Sequence, residues 1–281
     1  MNEVQNFLFE GLGIRGSIIR LKETWRQVIA QHEYPQDILQ LLGESVAATV
    51  LLATGLRDTP KLSLQLQGDG PVKLLLTQCS GELSVRGMVQ WREAVQDEPL
   101  LGQGNLTVNI DTGEEGRTFQ GTVPLISTKL DACLEAYFQQ SEQLTTHLTL
   151  MVTETCIAGL LLQKLPSNDE SDEMFDAALA HTAQFCTTGL SELPADHLLP
   201  RLFHNFTIRL FEARSVKHDC RCTPNHLAGI LRMLGPDEIA SIIEDTGQVE
   251  LTCEFCNRIF SFDATEIRKI LGSEIPDLIM H

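Results

Sequence analysis

The last quarter of this chain carries four of its eight cysteines, as Cys220-Arg-Cys222 and, after thirty intervening residues, Cys253-Glu-Phe-Cys256. Each short pair can present two thiolates from one tight turn, and the segment between is long enough to bring the two turns face to face. A closed tetrahedral Zn²⁺ site requires that arrangement. A module of ~65 residues has a core too small to be stable unaided. Structural zinc contributes about 10–16 kcal/mol of apparent binding free energy, which is also folding free energy. The C-terminal part is therefore expected to fold with the metal and to be largely unfolded without it.

The same four sulfurs support more than one chemistry. As thiolates they are the form that reacts with peroxide or hypochlorite. Oxidation of either close pair to a disulfide removes two ligands, and Cys253–Cys256 closes a less strained ring than Cys220–Cys222. Spacing alone equally describes a permanent zinc staple in an adaptor. A third reading is a thiol-disulfide oxidoreductase using Cys253 and Cys256, although such a site calls for a CxxC at a helix start in a βαβ setting. His218 and His226 lie near enough to replace a sulfur, but four thiolates already complete a tetrahedron. Cys79, Cys133, Cys156 and Cys186 stand singly and read as core residues, Cys186 being the one in an interrupted helical region.

Charge narrows the partners. The chain has 21 basic and 38 acidic residues, a formal net charge of −17, which opposes binding to nucleic acid or to an anionic membrane. From Ser215 onward six basic residues face eleven acidic ones, the wrong sign for a nucleic-acid zinc ribbon. The N-terminus lacks the basic region of a secretory signal. The most apolar run, residues 46–56, is too short and too interrupted to span a bilayer and reads as a buried helix. A cytoplasmic location, where thiols stay reduced, follows as the expectation. No P-loop or GxSxG motif is present, and His32-Glu33 lacks the second histidine of a metalloprotease helix.

Periodicity predicts an α+β fold. Helical spacing covers residues 20–30 and 37–52, separated by Pro35. Period-two alternation gives a hairpin at 62–66 and 72–76 around Gly68-Asp-Gly-Pro71, and a second at 106–110 and 119–123. Residues 130–141 read as a helix and 148–152 as a strand. A polar stretch, residues 168–173, marks a boundary. Beyond it Phe175, Ala178, Leu179, Thr182 and Phe185 form one stripe, followed by Leu190, Leu193, Leu198, Leu199, Leu202, Phe203 and Phe206, broken by Gly189, Pro194 and Pro200. Short interrupted helices with so much apolar surface must dock on something. In the cysteine module, helices are predicted at 224–234 and from Pro236, strands at 249–252 and 259–262, and a capping box at Asp263–Glu266 before a last helix. The expected organisation is an N-terminal α+β domain (1–170), a metastable helical linker (171–214) and a small zinc-binding module (215–281).

Taken together, these residues resemble the heat shock protein 33 family, bacterial redox-regulated holdase chaperones. The likeness covers the cysteine module with its Phe260-Ser-Phe-Asp263 tail. Upstream it includes Tyr34-Pro35, Leu41-Leu-Gly-Glu44, Gly68-Asp-Gly-Pro71, Val85-Arg-Gly87, Gly102-Gln-Gly104, Tyr137–Gln143 and Gly159–Gln163. The resemblance implies no enzymatic activity and one Zn²⁺ per chain, bound by Cys220, Cys222, Cys253 and Cys256 in the reduced, inactive form. It implies Cys220–Cys222 and Cys253–Cys256 disulfides on oxidation, metal loss, and unfolding of the C-terminal module with destabilisation of the linker. The activated form would hold unfolding client proteins without ATP, commonly as a homodimer. Phe175, Leu179, Phe185, Leu202, Phe203 and Phe206 are the candidate client-binding residues. Residues 214–219 are more polar than the family's run before the CxC, a departure that bears on the threshold for switching.

Overall fold

The structure is a computed structural model that describes residues 2–30, 32–56, 61–94, 98–113, 118–166, 171–186, 193–220, 222–234 and 236–271. The chain divides into two compact units, Met1–Asp219 and Cys220–His281.

The first unit begins with strands β1 (Asn2–Phe9) and β2 (Ile14–Leu21), then helices α1 (Glu23–Ile29) and α2 (Gln36–Thr54). Strands β3 (Lys61–Gly68), β4 (Val72–Ser80), β5 (Ser84–Trp91), β6 (Gly104–Asp111) and β7 (Thr118–Pro124) follow. Helix α3 (Leu130–Tyr137) runs into a π-helical turn, Phe138–Glu142, before β8 (Thr146–Val152) and β9 (Ile157–Lys164). Helices α4 (Ser171–Thr182) and α5 (Ala195–Leu202) precede three short strands, β10 (Ile208–Leu210), β11 (Arg214–Ser215) and β12 (Lys217–His218).

One sheet has the order β10-β1-β2-β9-β8, with β11 also on β1; the other runs β12-β5-β4-β3-β6-β7. Both expected hairpins are present, as β3–β4 and β6–β7. Helix α2 packs against strands of both sheets. Among the described residues it is the one helix long and apolar enough to cross a membrane, yet Val46, Ala47, Ala48, Thr49 and Val50 are fully buried in the core. Two glycines permit that close approach. A Cβ on Gly43 would lie 2.8 Å from Val152, and one on Gly159 would lie 2.9 Å from Leu51. Inside this core the hydroxyls of Ser45, Thr49 and Thr77 hydrogen-bond to one another, so no buried polar group is left unpaired there.

The helix expected over 20–30 starts only at Glu23, because Arg20 and Leu21 are the last residues of β2 and pair with both β1 and β9. Pro200 does not break α5. It lies inside the helix, which ends two residues later, and Leu198, Leu199 and Leu202 are buried on the docked face. Leu190 and Gly189 lie outside the described residues.

The opposite face of the β1-β2-β9 sheet is covered by α4 and α5. Phe7, Phe9, Ile14, Ile18, Leu160 and Leu162 of the sheet form one cluster with Phe175, Phe185, Leu198, Leu199, Leu202 and Phe203. Polar contacts add to it. Arg20, 3% exposed, pairs with Glu3 at 3.5 Å and donates to the Leu193 carbonyl. His147 lies between Glu135 (2.9 Å) and the Thr182 hydroxyl (3.1 Å). The polar segment 214–219 is tied down as well. β11 pairs with β1 and β12 with β5, Val216 is buried, and its carbonyl accepts from Thr24.

The second unit contains helices α6 (Pro224–Leu234) and α7 (Pro236–Thr246), the hairpin β13 (Gln248–Thr252) and β14 (Ile259–Asp263), and helix α8 (Ala264–Leu271). Its core is Leu227, Leu231, Ile239, Val249, Phe262 and Ile267, small for an independently stable unit. The architecture is α+β, as the periodicity predicts.

Candidate metal centre

Cys253 and Cys256 sit in the turn joining β13 to β14. The turn is closed by Cys253 N–H donating to the Arg258 carbonyl (2.9 Å) and Asn257 N–H donating to the Cys253 carbonyl (2.7 Å). Asn257 adopts φ 54°, a left-handed conformation that asparagine tolerates. This knuckle directs the backbone N–H groups of Cys256 and Phe255 at the Cys253 sulfur. Cys220 and Cys222 approach from the start of the unit, with Cys220 Sγ 3.5 Å from Cys253 Sγ and Cys222 Sγ 3.3 Å from Cys256 Sγ.

All four sulfurs lie within 4.8 Å of one another. Tetrahedral zinc with bonds of about 2.3 Å needs sulfur–sulfur edges of about 3.8 Å. The donor set therefore fits such an ion, and four soft thiolates select zinc over hard cations. Cys222 and Cys253 are buried, whereas Cys220 and Cys256 are half-buried. Burial pushes the Cys220 thiol up to about 11 and the Cys222 thiol higher still. Burial also opposes ionisation of Cys253, but the two knuckle amides together with hydrogen bonds from the Cys220 and Cys256 thiols hold that thiol below its ordinary value. Four sulfurs this close cannot all ionise without a compensating positive charge, and a divalent cation supplies it. His218 is engaged elsewhere, its Nδ1 lying 3.1 Å from the Val85 carbonyl. The His226 side chain lies outside the described ones.

The capping box forms as expected. Asp263 Oδ1 accepts from the N–H groups of Thr265 and Glu266, both at 2.8 Å, and Glu266 returns a carboxylate to the Asp263 N–H at 3.1 Å. Asp263→Ala is expected to cost the metal-loaded C-terminal unit about 1 kcal/mol, read as a lower denaturant midpoint for that unit in the full chain. An unchanged midpoint would mean that α8 contributes nothing to its stability.

A family model described as Hsp33 protein matches residues 2–263. The 33 kDa chaperonin of Shewanella denitrificans is 37% identical over 273 residues, 96% of this chain and 94% of that protein. That of Cronobacter sakazakii is 34% identical over 283 residues, 98% and 97% of the two chains. The chain belongs to the Hsp33 family. The crystal structure of the HSP33 homologue of Thermotoga maritima has the same fold, with a TM-score of 0.80 over 96% of this chain and 98% of that one at 23% identity. Hsp33 proteins are chaperones rather than enzymes.

Among the candidate client-contact residues of this Hsp33 chain, Phe175, Phe185, Leu202 and Phe203 are buried. Leu179 and Phe206 are partly buried against the same cluster. In this conformation four of the six are covered and the other two are partly so. Cys79, Cys133 and Cys156 are buried, and burial pushes the Cys79 thiol up to about 12. Cys186 departs from the core reading. It is exposed, because the apolar stripe that begins on α4 ends at Phe185, in the turn after the helix and one residue before it.

The polar contacts Arg20–Leu193 and His147–Thr182 have no counterpart in the sequence reading. Only Arg20, a charge inside the apolar run Ile18-Ile19-Arg20-Leu21, carries a local hint of a buried partner.

Proposed function

We propose that this chain is an ATP-independent holdase, silent when its four C-terminal thiols are reduced and metal-bound and activated by oxidation. Cys220, Cys222, Cys253 and Cys256 would hold one zinc ion, which when bound neutralises the clustered thiolates and crosslinks the two halves of the second unit. A thiolate of a close pair attacks hydrogen peroxide, forming a sulfenic acid and releasing hydroxide, which takes a proton from solvent to become water. The neighbouring thiolate then attacks the sulfenic sulfur and displaces a second hydroxide, likewise protonated by solvent, leaving a disulfide. Pairing within the two short motifs, Cys220–Cys222 and Cys253–Cys256, removes all four ligands. A unit whose core among the described residues is small then loses its main source of stability.

The observation that carries this reading is the assembly of four sulfurs within 4.8 Å in that small unit. A second supports it: the large apolar face of residues 171–214 is covered by docking on one sheet. Unfolding of the module 215–281 would take β12 from its pairing with β5, strain the β11 pairing at the module's start, and so loosen the linker 171–214 from the domain 1–170. Phe175, Leu179, Phe185, Leu202, Phe203 and Phe206 would then be available to unfolding clients, commonly in a homodimer. A reducing cytoplasm would keep the chain silent until stress. A thiol-disulfide oxidoreductase is disfavoured because Cys253 and Cys256 sit in a turn between two antiparallel strands, not at the start of a helix that follows a strand.

The test is light scattering from a thermally unfolding client, without nucleotide, with reduced or peroxide-treated chain. Suppression by the oxidised sample alone, reversed by a thiol reductant, is the expected result. Equal suppression by both samples would leave the cysteines as a static staple. Catalysed reduction of insulin would instead favour the oxidoreductase.

A further inference from the structure

Where α2 ends, the two sheets of the first unit do not close on each other. A cavity of about 540 Å³ remains, within the usual range of small-molecule sites of about 300–1,000 Å³. Its walls are mostly apolar, with an aliphatic stretch that includes Leu51, Leu62, Val108, Ile110 and Leu161.

One end differs in chemistry. On β2, Ile19 and Leu21 are buried in the α2-side core, and the period-two pleat continues that face to Ser17 and Arg15. Arg15 pairs in register with Gln163 of β9. Gln163 is only 2% exposed. Its Nε2 donates to Thr146 Oγ1 at 2.8 Å, which turns its Oε1 toward Arg15 Nε at 2.9 Å and Nη2. A buried amide thus orients the guanidinium, and burial lowers the Arg15 pKa. Arg15 has no carboxylate partner among the described residues. The hydroxyls of Ser17 and Thr54, 3.3 Å apart, line the same cavity. The one carboxylate among the described lining residues, Glu142, accepts from the Tyr137 hydroxyl at 3.2 Å.

We propose that this cavity binds a medium-chain fatty-acid anion, its carboxylate on Arg15 and its alkyl chain against Leu51, Leu62, Val108 and Ile110. A part-buried guanidinium retains unused donors for a two-oxygen acceptor. The aliphatic walls offer an unbranched chain burial without a polar partner. This is a separate property from the cysteine centre and does not depend on it.

The experiment is calorimetric titration of the full-length, reduced, zinc-loaded chain with decanoate and, separately, with decanol. The expected result is one-to-one saturable binding of decanoate at least about tenfold tighter than decanol, a difference of about 1.4 kcal/mol. Arg15→Met should abolish that preference and Arg15→Lys retain part of it. Decanoate should also raise the melting temperature of the wild-type chain and not that of Arg15→Met. Equal binding of the two amphiphiles, or no saturable binding, overturns the proposal without need of a variant. An Arg15→Met chain that melts lower yet binds decanoate as before also overturns it, and assigns Arg15 to the C-terminal end of α2 alone.

Discussion

Replacing Cys253 by serine is expected to remove metal and fold from the C-terminal unit together. Cys253 is buried at 7% exposure, and it is the thiol that backbone amides already favour as thiolate. A serine there keeps the size but not the soft ligand, leaving three sulfurs for an ion that closed structural sites hold with four. Because apparent binding free energies of about 10–16 kcal/mol double as folding free energy in such modules, the loss exceeds what the small core seen among the described residues could offset. The variant should purify with far less than one zinc per chain. Its backbone amides in residues 222–271 should exchange rapidly, while the sheet core around α2 stays protected. Stoichiometric zinc with a protected C-terminal unit would remove the cysteine cluster from the account.

Removing one phenylalanine from the docked helices is expected to switch the chain on without oxidant. Phe203 is fully buried, its ring 5.0 Å from that of Phe9 and 6.0 Å from that of Phe7. Truncating a buried Phe to Ala typically costs about 3–5 kcal/mol. That is a large fraction of what can hold short, proline-interrupted helices to a sheet. Phe203→Ala should therefore expose residues 171–214 to limited proteolysis in the reduced, zinc-loaded chain and give holding activity before peroxide is added. Phe203 is also a candidate client contact, so Phe9→Ala serves as the companion. It removes the same packing from the sheet side and leaves all six candidate residues intact. If both variants resist protease and remain silent, release of this docking is not the latch.

Legibility followed what each local pattern has to satisfy. Strands β3, β6 and β7 alternate as sequence reasoning requires, and both hairpins were readable, but a bulge between Val72 and Leu74 puts Leu75, Thr77 and Cys79, not Leu74 and Leu76, on the buried face of β4. β2 and β9 were not. In β9 all but the last residue are buried, because Ile157 and Leu161 face the α2 core while Ala158, Leu160 and Leu162 face the α4–α5 cluster. A strand covered on both faces loses its alternation and reads as a plain apolar run. The cysteine cluster was the reverse case. Its four sulfurs come from two short motifs and the capping box at Asp263 is local, so spacing pointed to both. The partners of Arg20, His147 and Arg15 were hidden for a third reason. Leu193, Thr182 and Gln163 are distant in sequence, and only the register of β2 on β9 or the docking of α4 and of the segment entering α5 brings them to their partners.

The most direct measurement is zinc release during peroxide treatment at mildly unfolding temperature, followed with a chromogenic chelator while client aggregation is monitored in the same sample. The account predicts release of about one zinc per chain, with the two within-motif disulfides appearing in step with suppressed aggregation, all reversed by a thiol reductant with zinc resupplied. Zinc retained through full activation, or released without any gain in holding activity, would contradict it.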